Sequence, residues 1–336
     1  MKENTLVYGV DVGGTTIKFG LLDGRGNLLH RSSIPTDTSE QGKNILPQIA
    51  HWIRRQDVPF REIAGVGLGV PGPVRPDGTV NRCVNLGWGV VPAAAELSRL
   101  LDGVPVRVAN DANAAALGER WLGAGRNMDS LLLVTLGTGV GGGLVLHGEM
   151  VTGAHGSAGE IGHMTVNPGE MQLCSCGKRG CLEQYASAGG IVRLAQAAGL
   201  RVESAKDVSD LAAWGNERAQ GALKKAGRLL GLALSNAACL VDVDGILLGG
   251  GVAAAGRNRT RPDSLPFHRR RFGGDSGNRR NRCGQLVERF DARECAGDLV
   301  VRAGGLVRPA RHGRRRRLSD HRQHPSPGLP VRRPPA

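Results

Sequence analysis

Apolar positions along this chain first alternate, then recur at helical spacing, and then begin the same sequence of patterns again. Residues 5–10 read as a strand, Gly13-Gly14 turns the chain, 15–22 read as a second strand, and Gly24-Arg25-Gly26-Asn27 leads into a third over 28–34. This predicts an antiparallel meander. Ile45, Ile49, Trp52 and Ile53 lie at helical spacing and predict one helix over 39–55, while the continuous apolar run 63–70 predicts a buried strand stopped by Pro71-Gly72-Pro73. A helix over 92–101 with Pro92 at its first position, a strand over 104–109 and an Ala-rich helix over 111–122 complete a first unit.

The pattern restarts with apolar segments 131–136 and 142–146, joined by glycine-rich sequence and followed by a His147-Gly148 turn. A polar, cysteine-bearing insertion occupies 153–182, helices are predicted over 183–198 and 216–241, and a strand over 245–248 runs into Gly249-Gly250-Gly251. Two α/β halves that each open with a glycine-turned hairpin imply a cleft between them. The expected organisation is an N-terminal α/β domain over 1–122, a C-terminal α/β domain over 123–256 carrying a metal loop at 153–183, and a separate tail over 257–336.

Charge changes the picture at that tail. The net charge of +14 would suggest a polyanionic partner, but residues 257–336 hold 21 Arg, no Lys and 7 acids, which accounts for the whole excess. Residues 1–256 balance 23 basic against 23 acidic side chains, so nucleic-acid binding is not the expected function of the body. The abrupt switch to Arg, Pro and Gly after Gly256 is that of a GC-rich coding sequence read out of frame, and the tail is expected to lack regular structure. The most apolar run, 131–146, is 16 residues long and holds five glycines, too short and broken for a membrane span. An acid at Glu3 and the interruption at Asp11 speak against a secretory signal, so reduced thiols and the cytoplasm are expected.

Four segments carry candidate chemistry. In Asp11-Val12-Gly13-Gly14-Thr15-Thr16-Ile17-Lys18, glycines let backbone N–H groups approach phosphate oxygens, the threonines add donors and Asp11 is placed to hold Mg²⁺; a plain hairpin turn has the same pattern. Gly137-Thr138-Gly139-Val140-Gly141-Gly142-Gly143 matches a dinucleotide fingerprint, yet strand rather than helix follows, so a second phosphate-cradling hairpin is expected instead. Asn110-Asp111 at a strand-to-helix junction suits both a helix cap and a carboxylate that takes a proton from an attacking hydroxyl. Finally His163, Cys174, Cys176 and Cys181, with Gly177 and Gly180 between them, supply one imidazole and three thiolates for a closed, structural Zn²⁺ shell. Glu160 and Glu183 flank that cluster, which aims both carboxylates at a polyol.

Taken together with Asn85-Leu86-Gly87-Trp88, Gly159-Glu160-Ile161-Gly162-His163 and Gly249-Gly250-Gly251, these segments resemble the ROK family (repressors, open reading frames, kinases), and within it the bacterial ATP-dependent glucokinases. The resemblance covers about residues 5–256. It implies the actin-like (ribonuclease H-like) ATPase fold, a homodimer, and ATP-dependent phosphorylation of glucose at its 6-hydroxyl. By the same resemblance Asp111 is the general base, and Asn85, Asn110, Glu160, His163 and Glu183 contact or shape the sugar pocket. Asp11, Gly13, Gly14, Thr15, Thr16, Lys18, Gly137, Thr138 and Gly139 face the ATP phosphates with Mg²⁺, Gly249, Gly250 and Gly251 lie near the nucleoside, and His163 doubles as a zinc ligand. N-acetylmannosamine, N-acetylglucosamine and fructose are the alternative sugars. The family's repressors carry a winged helix-turn-helix ahead of the first phosphate loop, whereas here that loop begins about ten residues from Met1. Family members also continue past Gly256 with a helix, a strand and a closing helix not visible in this sequence, which keeps an inactive remnant among the readings.

Overall fold

The computed structural model describes residues 5–254 and 300–302. Its first strands, β1 (Leu6–Val12), β2 (Thr16–Leu22) and β3 (Leu28–Pro35), form the expected meander, with Tyr8, Val10, Val12, Ile17 and Phe19 alternating onto one buried face. The single helix expected over 39–55 is instead a short turn, α1 (Ser39–Gly42), and a separate helix, α2 (Ile45–Arg54). A contact distant in sequence breaks it: buried Trp88 donates its indole N–H to the Gly42 carbonyl at 2.9 Å, and Gly42 takes φ +68°, closed to most side chains.

The chain continues through β4 (Ile63–Val70), a small hairpin of β5 (Val80–Cys83) and β6 (Trp88–Val91), α3 (Ala93–Leu100), β7 (Val106–Asn110) and α4 (Asp111–Trp121). β4 matches its expected bounds, and the hairpin is an addition to the expectation. The first sheet has the order β3-β2-β1-β4-β7, with β4 and β7 parallel to β1. Ile45, Ile49 and Ile53 of α2 and Leu97 of α3 pack against its buried face, and Trp52 stacks on Phe19 with ring centroids 3.9 Å apart. Each such fully buried aliphatic side chain contributes roughly 1.5–3 kcal/mol.

The second half contains β8 (Leu131–Leu136), β9 (Val140–Leu146), β10 (Glu149–Val151), α5 (Glu183–Ala186), α6 (Ala188–Ala197), α7 (Ala205–Ala213), α8 (Glu217–Val241), β11 (Gly245–Gly249) and α9 (Gly251–Ala254). The helix expected over 183–198 is interrupted at Ser187, which ends α5 and caps α6 by accepting from the Gly190 N–H at 3.0 Å. α7, absent from the expectation, starts with a Ser204–Asp207 capping box.

The second sheet has the order β10-β9-β8-β11-β12, repeating the first in order, with the same pairing directions except at the fifth strand. Its fifth member, β12 (Val300–Arg302), runs antiparallel to β11, so these three residues depart from the irregular structure expected of the tail, the remainder of which lies outside the described residues. One face of this sheet buries Leu132, Val134 and Leu136 against Tyr185 and the α8 residues Leu230, Ala233 and Leu234. The other face, with Leu131, Leu133, Val145 and Leu247, receives Ala116 of α4, so the helix that leaves the first sheet docks on the second. Among the described residues no helix is long and apolar enough to cross a membrane.

Candidate functional site

The first glycine turn is closed by the Gly13 N–H donating to the Thr16 carbonyl at 3.0 Å, and the Thr36 side chain and backbone tie down the Gly13 and Thr15 carbonyls. Asp11 and Lys18 are paired across β1 and β2, and their side chains form an exposed ion pair at 3.0 Å. Gly14 lies so close to Asn85 that an added Cβ would sit 3.0 Å from the Asn85 carbonyl oxygen, which brings the first loop and the Asn85 segment together.

At the end of β7 the two capping readings separate. Asn110 is the cap: its side-chain oxygen accepts from the Ala112 N–H at 3.0 Å and the Asn113 N–H at 3.2 Å. Asp111 is thereby placed in the first turn of α4, where one carboxylate oxygen accepts from the Ala112 N–H at 2.7 Å. Asp111 keeps a side open to solvent, yet burial against the surrounding protein pushes its carboxyl up; the Ala112 N–H opposes that rise and the charge of Asp11 adds to it. Glu160 is likewise pushed up by burial, with His163 opposing and Asp111 and Glu183 adding. Asp111 thus feels Asp11, and Glu160 feels His163, Asp111 and Glu183, which links groups from opposite halves of the chain.

Glu183, at the start of α5, has both carboxylate oxygens engaged. One accepts from the Val140 N–H at 3.1 Å and the other from the Ser175 hydroxyl at 3.3 Å. The second glycine turn comprises only Gly137, Thr138 and Gly139, closed by the Gly137 N–H to the Gly139 carbonyl at 2.9 Å. The expected cradle over 137–143 is corrected accordingly, because β9 begins at Val140 and Gly141, Gly142 and Gly143 lie within it. Those three glycines serve packing: an added Cβ at Gly143 would meet the Ala112 carbonyl at 2.6 Å and the Ala116 methyl at 2.7 Å, so glycine lets α4 lie directly on β9. Gly250, at φ +92°, packs against the Leu136 backbone and brings Gly249 and Gly251 beside this second turn.

His163, Cys174, Cys176 and Cys181 offer ligand atoms all within 4.8 Å of one another. The His163 Nδ1 to Cys174 Sγ separation is 3.7 Å and Cys176 to Cys181 is 3.6 Å, close to the edge of about 3.8 Å for a tetrahedron of sulfur ligands about 2.3 Å from zinc. Burial and the neighbouring thiols push the Cys181 thiol up, a repulsion that a dication reverses by holding thiolates. The donor set therefore fits Zn²⁺. The loop is also pinned without metal: Lys178 donates to the His163 carbonyl at 2.8 Å, and Glu170 accepts from the Tyr185 hydroxyl at 2.5 Å and from Arg193 at 3.0 Å. Ser175, Val140 and Glu170 escaped the sequence reading. Ser175 lies between two candidate metal ligands, the one local signal available, whereas the partners of Val140 and Glu170 come from the helices α5 and α6.

The ROK family profile matches residues 7–260. A glucokinase of Halalkalibacterium halodurans is 40% identical over 278 residues, covering 77% of this chain and 84% of the relative. An N-acetyl-D-glucosamine kinase of Citrobacter koseri is 34% identical over 274 residues, covering 78% of this chain and 90% of the relative. Among solved structures, a ROK family glucokinase from Streptomyces griseus in complex with glucose and AMPPNP aligns with a TM-score of 0.62 at 34% identity, over 75% of this chain and 85% of that one. The two sheets of matching strand order belong to the actin-like ATPase fold of these neighbours.

Proposed function

Because the chain belongs to the ROK family and is a sugar kinase, we propose that it transfers the γ-phosphoryl group of ATP to the 6-hydroxyl of glucose, with Asp111 as general base. The observation that carries this reading is that Glu160 lies within electrostatic reach of both Asp111 and Glu183, groups from the two halves, each of which presents a glycine turn. Asp111 takes the proton from the sugar hydroxyl as the oxygen attacks the γ-phosphorus, the bond to the β,γ-bridging oxygen breaks, and ADP leaves with that electron pair. A carboxyl whose proton affinity is raised by burial is a stronger base than one in free solution.

In this reading Asn85, Asn110, Glu160, His163 and Glu183 hold the sugar hydroxyls, and Gly13, Gly14, Thr15, Thr16, Lys18 and Gly137 to Gly139 face the phosphates, with Gly249 to Gly251 toward the nucleoside. Asp11 is the residue suited to Mg²⁺, since only one of its oxygens is taken, by Lys18. Mg²⁺ supplies neutralisation of phosphate charge, and Zn²⁺ on His163, Cys174, Cys176 and Cys181 supplies order to the loop ending at Glu183. A second reading, N-acetylglucosamine phosphorylation, is favoured by the 34% identity to a kinase of that sugar.

The test is sugar-dependent ADP formation with Mg-ATP, comparing glucose, N-acetylglucosamine, N-acetylmannosamine and fructose, with Asp111→Asn as control. Preference for glucose that disappears in the variant supports the first reading. A larger kcat/KM for an acetamido sugar transfers the assignment to the second. Absence of turnover with every sugar, from folded protein, overturns both and leaves the inactive remnant.

A further inference from the structure

The two oxygens of Glu183 are committed before any ligand arrives. One receives the Val140 N–H, at the point where the second glycine turn enters β9; the other receives the Ser175 hydroxyl from between two metal ligands. The approach to the turn is close enough that a Cβ at Gly139 would sit 2.5 Å from the same oxygen that Val140 uses. The turn is held from its other end as well, since the Ala188 N–H, opening α6 just after Glu183's own helix, donates to the Gly137 carbonyl at 2.8 Å. A carboxylate has about four lone-pair sites, so a sugar hydroxyl can add to Glu183 without displacing either protein donor.

We propose that Ser175 is a positioning residue that holds Glu183 as a strut between the metal loop and the Gly137–Gly139 turn, so that sugar binding and nucleotide binding strengthen each other through this one carboxylate. The proposal rests on the sugar-kinase reading and goes beyond it, because contact with a sugar hydroxyl requires neither the Ser175 bond nor the Val140 bond. A sugar hydroxyl on Glu183 restricts the carboxylate to the rotamer that braces Val140, which orders the turn facing the phosphates. By linkage, a nucleotide that orders the turn must return the same factor to the sugar.

The experiment is calorimetric titration of the zinc-loaded full chain with a non-hydrolysable ATP analogue, with and without saturating glucose or whichever sugar supports turnover. The analogue should bind about fivefold to tenfold tighter with sugar present, at the low end of measured couplings. Ser175→Ala at unchanged zinc content should reduce that factor to below about twofold, and Ser175→Thr, which keeps the hydroxyl, should restore most of it. A Ser175→Ala chain that keeps the full factor overturns the proposal, as does a Ser175→Thr chain that loses as much as the alanine variant. Wild-type protein that binds both ligands independently overturns the coupling and leaves the kinase reading standing. Wild-type protein that binds no sugar overturns that reading and the coupling with it.

Discussion

The two glycine-turned hairpins occupy equivalent places in sheets of the same strand order, yet they are held by different means. Around Gly13-Gly14 the restraints are a bond across the turn, Thr36 from just past β3, the Asn85 backbone against Gly14, and an exposed Asp11–Lys18 pair of little energetic weight. Around Gly137 to Gly139 they come from Glu183 and Ala188, more than forty residues away, and the glycines that follow admit a helix arriving from the other sheet. Glycine in the second hairpin therefore does two separable jobs, shaping a turn at 137–139 and admitting close packing at 141–143, where Gly141 and Gly143 face α4 and Gly142 faces Gly159 and Ile161. In the first hairpin a single glycine does both, since Gly14 turns the chain and admits the Asn85 backbone.

The largest expected effect concerns α4, which leaves the first sheet at β7 and docks on the second hairpin. Asp111→Asn should lower kcat by about 10²- to 10⁴-fold and at the same time raise the melting temperature at pH 8. The sign follows from linkage: the folded pKa of Asp111 is raised, so this group favours the fold at low pH and penalises it once the pH exceeds the folded value. The gain of the Asn variant should therefore shrink as the melt is repeated toward pH 4; a gain independent of pH would break the burial argument.

Metal removal comes next, because it strikes only the second hairpin. Chelation should lower the melting temperature by about 5 °C or more and raise KM for sugar, with zinc content followed in the same samples. Smaller again is the contrast between two glycines of that hairpin. Gly143→Ala forces a methyl against the Ala112 carbonyl at 2.6 Å and should cost about 1–3 kcal/mol, read as a lower urea midpoint at constant slope. Gly137→Ala, with nothing within 4 Å, should leave the midpoint unchanged within about 0.5 kcal/mol and act on KM for ATP instead. Equal midpoints for the two would erase the distinction.

The smallest effect tests the non-metal anchor of the loop. The Tyr185 hydroxyl, chiefly, holds the Glu170 carboxyl down at about 2, with the Gln172 N–H and Arg193 assisting. A depressed pKa stabilises above the unfolded value and is lost as pH falls toward the folded one, so Glu170→Gln should be less stable than wild type at pH 7 and should converge with it as pH approaches 2. Denaturant midpoints across that range check it.

Much of this was legible in advance where the determining contacts are local. The strand over 63–70 was readable because an unbroken apolar run ends at Pro71-Gly72-Pro73, and the Cys/His cluster because three thiols and an imidazole fall within 19 residues. α7 was legible and overlooked, since Ser204 and Asp207 spell its capping box. The break at Gly42 was not legible, because its cause is Trp88, 46 residues away. The same holds for the end of the glycine cradle at Val140, where seven residues of one composition are divided by which backbone packs on them.

What the sequence by itself determined is therefore the set of elements and the inventory of chemistry: strands from alternation, helices from spacing, turns from glycine, and a donor set suited to a metal from ligand count. What only the tertiary structure decided is which of those groups meet. Asn110 rather than Asp111 became the principal helix cap, Asp111 came within reach of Asp11 and Glu160, and Glu183 was caught between Ser175 and Val140. Periodicity records how one segment faces a core, a local property, whereas a hydrogen bond between groups 43 residues apart, such as Val140 to Glu183, exists only once α5 has packed against the second sheet.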